Sequence, residues 1–180
     1  MNIRDREINR LINYAIGLGL CVLYDSTTKT NASASWALDG SEIIIYTNTK
    51  QSKTDIILAL IHEISHHLHW IWEKQRKPDF KFDEAITREL LLENNETTVP
   101  TPKRLRKKIL DIERAGIAYW DIVYRDVGLA IPLWKLNMYK EFDIWQYEVY
   151  YQKGKFAPRI ERKAKLKQLT EKYKNAIYVK

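Results

Sequence analysis

The chain has 180 residues, of which 45% are hydrophobic, 12% aromatic and 29% charged, enough for one packed domain and an appended segment. Its formal net charge is +7, and Cys21 is its only cysteine. A single thiol excludes an intrachain disulfide and a thiolate zinc cluster.

Residues 1–10 are polar and carry no apolar secretory stretch. The uncharged run 11–24 contains Asn13 and two glycines and is too short to cross a bilayer. The expectation is a cytoplasmic protein in a reducing compartment, the host cytoplasm if the source is viral. Ile8, Leu11, Ile12, Ala15 and Ile16 recur at helical spacing, so an amphipathic helix is predicted over 4–16, ended by Gly17 and Gly19. Residues 20–24 are short, apolar and rich in strand formers, a first strand, followed by a polar loop over 25–31. Residues 32–38 and 42–47 flank Asp39-Gly40-Ser41, a hairpin-like turn.

Ser52 stands three residues before Asp55, a capping pattern at the head of a long apolar segment. Ile56, Ile57, Leu60, Ile61, Ile64, Leu68, Ile71 and Trp72 then form a broad stripe that stops near Pro78. This is the expected central helix. A helix over 83–93 and a proline-containing loop over 94–103 follow. One helix is predicted over 103–128, with Ile109, Ile112, Ile117, Trp120, Val123 and Val127 on its apolar face. Beyond Pro132, residues Trp134, Met138, Phe142, Trp145 and Val149 mark a core-packing helix. Residues 155–180 hold nine Lys or Arg against Glu161 and Glu171, so the positive charge belongs to a tail and residues 1–154 balance. Such a run is either a solvated helix or a contact for nucleic acid or another acidic partner. The expected division is 1–154 as the main domain and 155–180 as the basic tail.

The central helix holds all four histidines, within His62-Glu63-Ile64-Ser65-His66-His67-Leu68-His69. His62 and His66 are four apart, so their imidazoles lie on one face and can meet one metal ion. H-E-x-x-H on a helix is the pattern of a zinc site in which the Glu, here Glu63, takes a proton from the attacking water. His69 lies ~10 Å along the axis from His62, too far to share an ion with it, and His67 points about 100° from His66. His67 is therefore read as a surface residue or as one supporting the ligands. With no histidine after residue 69, the third ligand is a carboxylate or the site is not a standard zinc site. Asp83, Glu84, Glu89, Glu93 and Glu113 are the candidates. Glu113 is favoured because Ile109, Gly116 and Trp120 place it on an otherwise apolar face, where a charge needs a partner. Gly116, one turn on, would let another helix approach closely. Glu89 and Glu93 stay open as alternatives.

On these residues the chain resembles a gluzincin-type metallopeptidase, in particular the ImmA/IrrE-like proteins of phages and mobile elements. The likeness covers about residues 10–128. It rests on the strand-rich region before the helix, on Leu60-Ile61-His62-Glu63-Ile64-Ser65-His66-His67, and on a later helix bearing Glu. In that family the third-ligand helix usually reads E-x-x-A with an aromatic further on. Glu113-Arg114-Ala115-Gly116 with Tyr119 and Trp120 is a loose match, farther from the histidines than in the commonest members. The resemblance implies an α+β, zincin-like fold: a small, mostly antiparallel sheet packed on the H-E-x-x-H helix, followed by a helical C-terminal half. It also implies a zinc-dependent endopeptidase with Zn²⁺ on His62, His66 and Glu113, Glu63 as the catalytic proton carrier, and a protein or peptide as substrate. An extended substrate would pair with strand 42–47 as a sheet edge, and Tyr119 or His69 would stabilise the oxyanion. The alternative is a catalytically inactive zincin-fold binding module that contacts nucleic acid or a protein through its basic tail.

Overall fold

The computed structural model describes residues 3–28, 33–37, 39–47, 52–80 and 103–176. The expected helix over 83–93, with Asp83, Glu84, Glu89 and Glu93, lies outside the described residues, as does the proline segment 94–102. Among the described residues the fold is α+β and mostly helical. The helices among the described residues are α1 (Ile3–Gly17), α2 (Lys53–Arg76), α3 (Lys103–Ile117), α4 (Trp120–Val127), α5 (Leu133–Lys153) and α6 (Arg159–Asn175). The strands are β1 (Cys21–Asp25), β2 (Ala34–Trp36) and β3 (Glu42–Tyr46). No described helix is long and apolar enough to cross a membrane.

By internal contacts the chain forms two units, Met1–Asn95 with Ala115–Leu129, and Glu96–Arg114 with Ala130–Lys180. In the first, α2 is the element against which the others are placed. Ser52 caps it as expected: the Ser52 hydroxyl accepts from the Asp55 amide at 3.2 Å, and the Asp55 carboxylate accepts from the Ser52 amide at 2.9 Å. This capping box satisfies two amides that the first turn would otherwise leave open. Ile57, Leu60, Ile61 and Ile64, at helical spacing, are at most 1% exposed. The expected stripe narrows farther on, because Trp72 is 43% exposed, with the Arg76 guanidinium 4.4 Å over its ring.

The strand order is β1-β3-β2, with β1 parallel and β2 antiparallel to β3. The sheet is therefore mixed, which corrects the mostly antiparallel expectation. The Asp-Gly turn does build the expected hairpin between β2 and β3. Which strand takes the other side of β3 is a long-range choice, and β1 arrives there in the parallel sense. Ile43 and Ile45 alternate inward and are fully buried. Gly40, at φ 78°, is the turn's point of contact with α2: a Cβ there would lie 2.8 Å from the Trp70 ring. Only glycine meets both demands, the positive φ and the close ring.

The single helix expected over 103–128 is two. The chain turns at Ala118 and Tyr119, where the Tyr119 amide donates to the Gly116 carbonyl at 2.9 Å. That three-residue bond replaces the four-residue ladder, and the break falls just beyond a glycine, the weakest helix former after proline. The expected apolar face survives the break: Ile109, Ile117, Trp120, Val123 and Val127 are all buried.

In the second unit α5 and α6 run antiparallel. Thr170 meets Met138, Lys172 and Tyr173 meet Glu141, and Lys153 meets Glu161. The Lys172 ammonium holds the Glu141 carboxyl below its usual range. On α5, Met138 and Val149 are buried as expected, whereas Trp134, Phe142 and Trp145 are half-buried. The segment expected as a basic tail supplies α6, which buries Leu169 in this unit.

Candidate metal centre

His62 and His66 sit midway along α2, behind the buried isoleucines that anchor it. Their Nε2 atoms are 2.9 Å apart and their rings are inclined at 72°. Two imidazole nitrogens so directed converge on one point. Glu113 joins them: one ligand atom from each of the three residues lies within 4.8 Å of the others. Among the described residues this is the group of His, Cys, Asp or Glu side chains placed to hold a metal ion. His66 and Glu113 are buried, 7% and 3% exposed, and His62 is half-buried.

The division into units falls within α3, between Arg114 and Ala115, but α3 is one continuous helix. Its last turn belongs with α2, where Gly116 touches His66. A Cβ on Gly116 would stand 2.7 Å from Cε1 and 2.8 Å from Nδ1 of His66. Glu113 is one turn earlier on the same helix.

Aromatic rings border the histidines. The Trp36 ring lies nearly parallel to that of His66, 6.4 Å between centroids and 17° between planes, and Trp120 stands edge-on to His62 at 6.1 Å. Trp120 was legible as a core position. Trp36, on a three-residue strand thirty residues before its partner, carried no local signal.

The donor set suits zinc. Two imidazoles and one carboxylate form a mixed nitrogen and oxygen set, and three protein ligands leave a fourth position for water. His62, His66 and Glu113 thus stand together where they could bind a metal ion. No family model, curated protein or solved structure matches this chain.

The other two histidines lie outside the group. His67 is 2% exposed, which corrects its reading as a surface residue. Its Nε2 donates to the Leu18 carbonyl at 3.3 Å, and its ring stacks on Trp70 with centroids 5.6 Å apart. Burial pushes its pKa below the ordinary value, and the Leu18 carbonyl opposes that shift. His69 stacks on Tyr119 at 5.9 Å and faces the Glu73 carboxylate at 4.0 Å. Burial also lowers its pKa. The Tyr119 phenol is pushed upward by burial and, next, by the charge of Glu73. Glu63, beside His62 on α2, is half-buried.

One expectation fails on topology. Strand 42–47 cannot serve as the sheet edge, because β3 is the middle strand with β1 and β2 on its two sides. Among the described strands, β1 and β2 are the edges.

Proposed function

We propose that this protein is a zinc-dependent peptidase. The observation that carries the reading is the convergence of His62, His66 and Glu113 beside Glu63, with both histidines and Glu63 on one rigid helix. His62, His66 and Glu113 would hold the ion through two imidazole nitrogens and one carboxylate oxygen. Zinc, when bound, polarises a carbonyl and lowers the pKa of water toward neutrality.

The chain's own residues do the rest. The Glu63 carboxylate takes a proton from the water that attacks the scissile carbonyl carbon. It returns that proton to the amine nitrogen as the C–N bond breaks. Gly116 and Trp36 bracket the His66 ring and limit its rotation. Trp120 does the same beside His62. β2, an edge strand carrying Trp36, is the place where an extended substrate would add its main-chain hydrogen bonds.

Metal analysis of the purified protein tests the centre. The wild type is expected to carry about one zinc per chain, and Glu113→Ala to lose it. A wild type that binds no metal would show that the three side chains merely hydrogen-bond to one another, and the reading would fall.

A further inference from the structure

The basic C-terminal segment shares its unit with a second basic element. Residues 103–114 and 130–176, the described part of the second unit, hold 17 Lys or Arg against 7 Asp or Glu, a net +10. The remainder of the chain is then net −3, since the whole is +7. Within that unit the excess lies on residues 103–114 (net +4) and 155–176 (net +6), while residues 130–154 balance, so α3 joins the C-terminal segment as a basic element. Lys103, Arg104, Arg106, Lys107 and Lys108 open α3, with no acid before Asp111.

Two contacts tie the head of α3 to the start of α6. The Arg106 guanidinium sits over the C-terminal end of α5, where a Cβ on Gly154 would be 2.9 Å from its Nη1. Lys153, beside that glycine, bonds Glu161 in the first turn of α6 at 3.3 Å. Around this corner Lys103, Arg104, Lys107, Lys155, Arg159, Arg162 and Lys163 are all exposed. Farther along α6, Lys163, Lys167 and Lys174 fall within roughly 40° of one another around the axis and form an exposed stripe.

We propose that the head of α3 and the outer face of α6 together bind the phosphate backbone of nucleic acid. Like charge repeated along two helices suits a polyanion with regularly spaced phosphates. An anionic membrane fits less well, because a helix lying in the interface needs an apolar face of its own. α6 turns Leu169 inward, half-buries Leu166 and Tyr173, and leaves Ile160 as its one exposed large apolar side chain among the described residues. Base stacking on the indoles of α5 is not the mode either. Lys165 lies 5.9 Å over the Trp145 ring and Lys174 lies 5.8 Å over the Trp134 ring, so those indoles are already covered. The contact is to the backbone, and a duplex, with its higher charge density, binds at least as well as a single strand.

The test is fluorescence anisotropy of the full chain with a labelled duplex and a single strand of equal length, as salt is varied. For about six phosphate contacts, duplex affinity is expected to fall roughly a thousandfold between ~50 and ~200 mM salt. Lys103→Ser/Arg104→Ser/Lys107→Ser and, separately, Arg159→Ser/Arg162→Ser/Lys163→Ser should each weaken binding by about tenfold and flatten the salt dependence. Lys53→Ser/Lys77→Ser/Arg125→Ser, taken from the first unit, should leave it unchanged, with circular dichroism confirming that all three variants fold. No binding at low salt overturns the proposal, as does an equal loss in the control variant. So does a neutral α3 variant, or binding to phosphatidylserine vesicles without binding to nucleic acid.

Discussion

Gly116 of α3 makes room for the His66 imidazole: a Cβ at residue 116 would lie 2.7 Å from Cε1 and 2.8 Å from Nδ1. No real side chain sits that close, so even a methyl group must move either the ring or the helix. The relationship joins the two elements that carry the candidate ligands, and it gives the first prediction. Gly116→Ala would ordinarily stabilise a helix by up to about 1 kcal/mol. Here it should weaken zinc binding about 10- to 100-fold, as loss of a group that orients a ligand does. Gly17→Ala, at the end of α1 with nothing within 4 Å of the added carbon, is the control. Competition with a chromophoric chelator reads both. Equal affinities for Gly116→Ala and wild type would show that the ring position does not matter to the metal.

Glu63→Gln separates chemistry from metal binding. The amide keeps the size of the side chain but cannot accept the water proton. Peptide hydrolysis should fall by about 10²- to 10⁴-fold while zinc stays at about one per chain. The assay pairs turnover of a generic protein substrate with metal content on the same preparation. Full activity in the variant would remove Glu63 from the mechanism.

Ser52 caps the helix that carries the histidines, ten residues before His62. Ser52→Ala removes one side of the capping box and should cost about 1 kcal/mol of stability, seen as a lower denaturation midpoint with an unchanged slope. Metal stoichiometry should not change, because the histidines sit in the buried middle of α2. An unaltered midpoint would mean that α2 is held by packing alone.

Tyr14 provides a pH signature for the first unit. Burial and then the hydrogen bond to Asp126, at 3.1 Å, push its phenol up to about 12. A folded-state pKa raised above the unfolded value of about 10 means that the contribution is fully present below pH ~10 and is lost as pH rises toward ~12. Urea titrations across that window should show stability falling more steeply with pH in the wild type than in Tyr14→Phe. Identical slopes would remove the Tyr14–Asp126 bond as a source of the dependence.

The sequence by itself determined whatever depends on neighbours along the chain. The capping box at Ser52 and Asp55, the apolar period of α2 and the turn at Gly40 are local patterns, and each appears where the spacing predicts. The same holds for the His62 and His66 pair, because four residues on a helix return a side chain to the same face. With no histidine after residue 69, a third ligand is a carboxylate or the site is not a standard zinc site, and the apolar setting of Glu113 favours it over Glu89 and Glu93; Glu113 does stand beside His62 and His66.

Tertiary structure alone decided what depends on partners distant in sequence. β1 pairs with one side of β3 in parallel, which makes β3 the middle strand and leaves β1 and β2 as the edges among the described strands. Trp36 reaches His66 from a strand whose own residues give no hint of it. α3 ends at Ile117, one residue past the Gly116 that meets His66, and the head of that same helix adds its lysines and arginines to those of α6. Periodicity records which face of an element is apolar, but not which surface will cover it. That choice is made by side-chain volume and charge across the fold, between residues that never meet in the sequence.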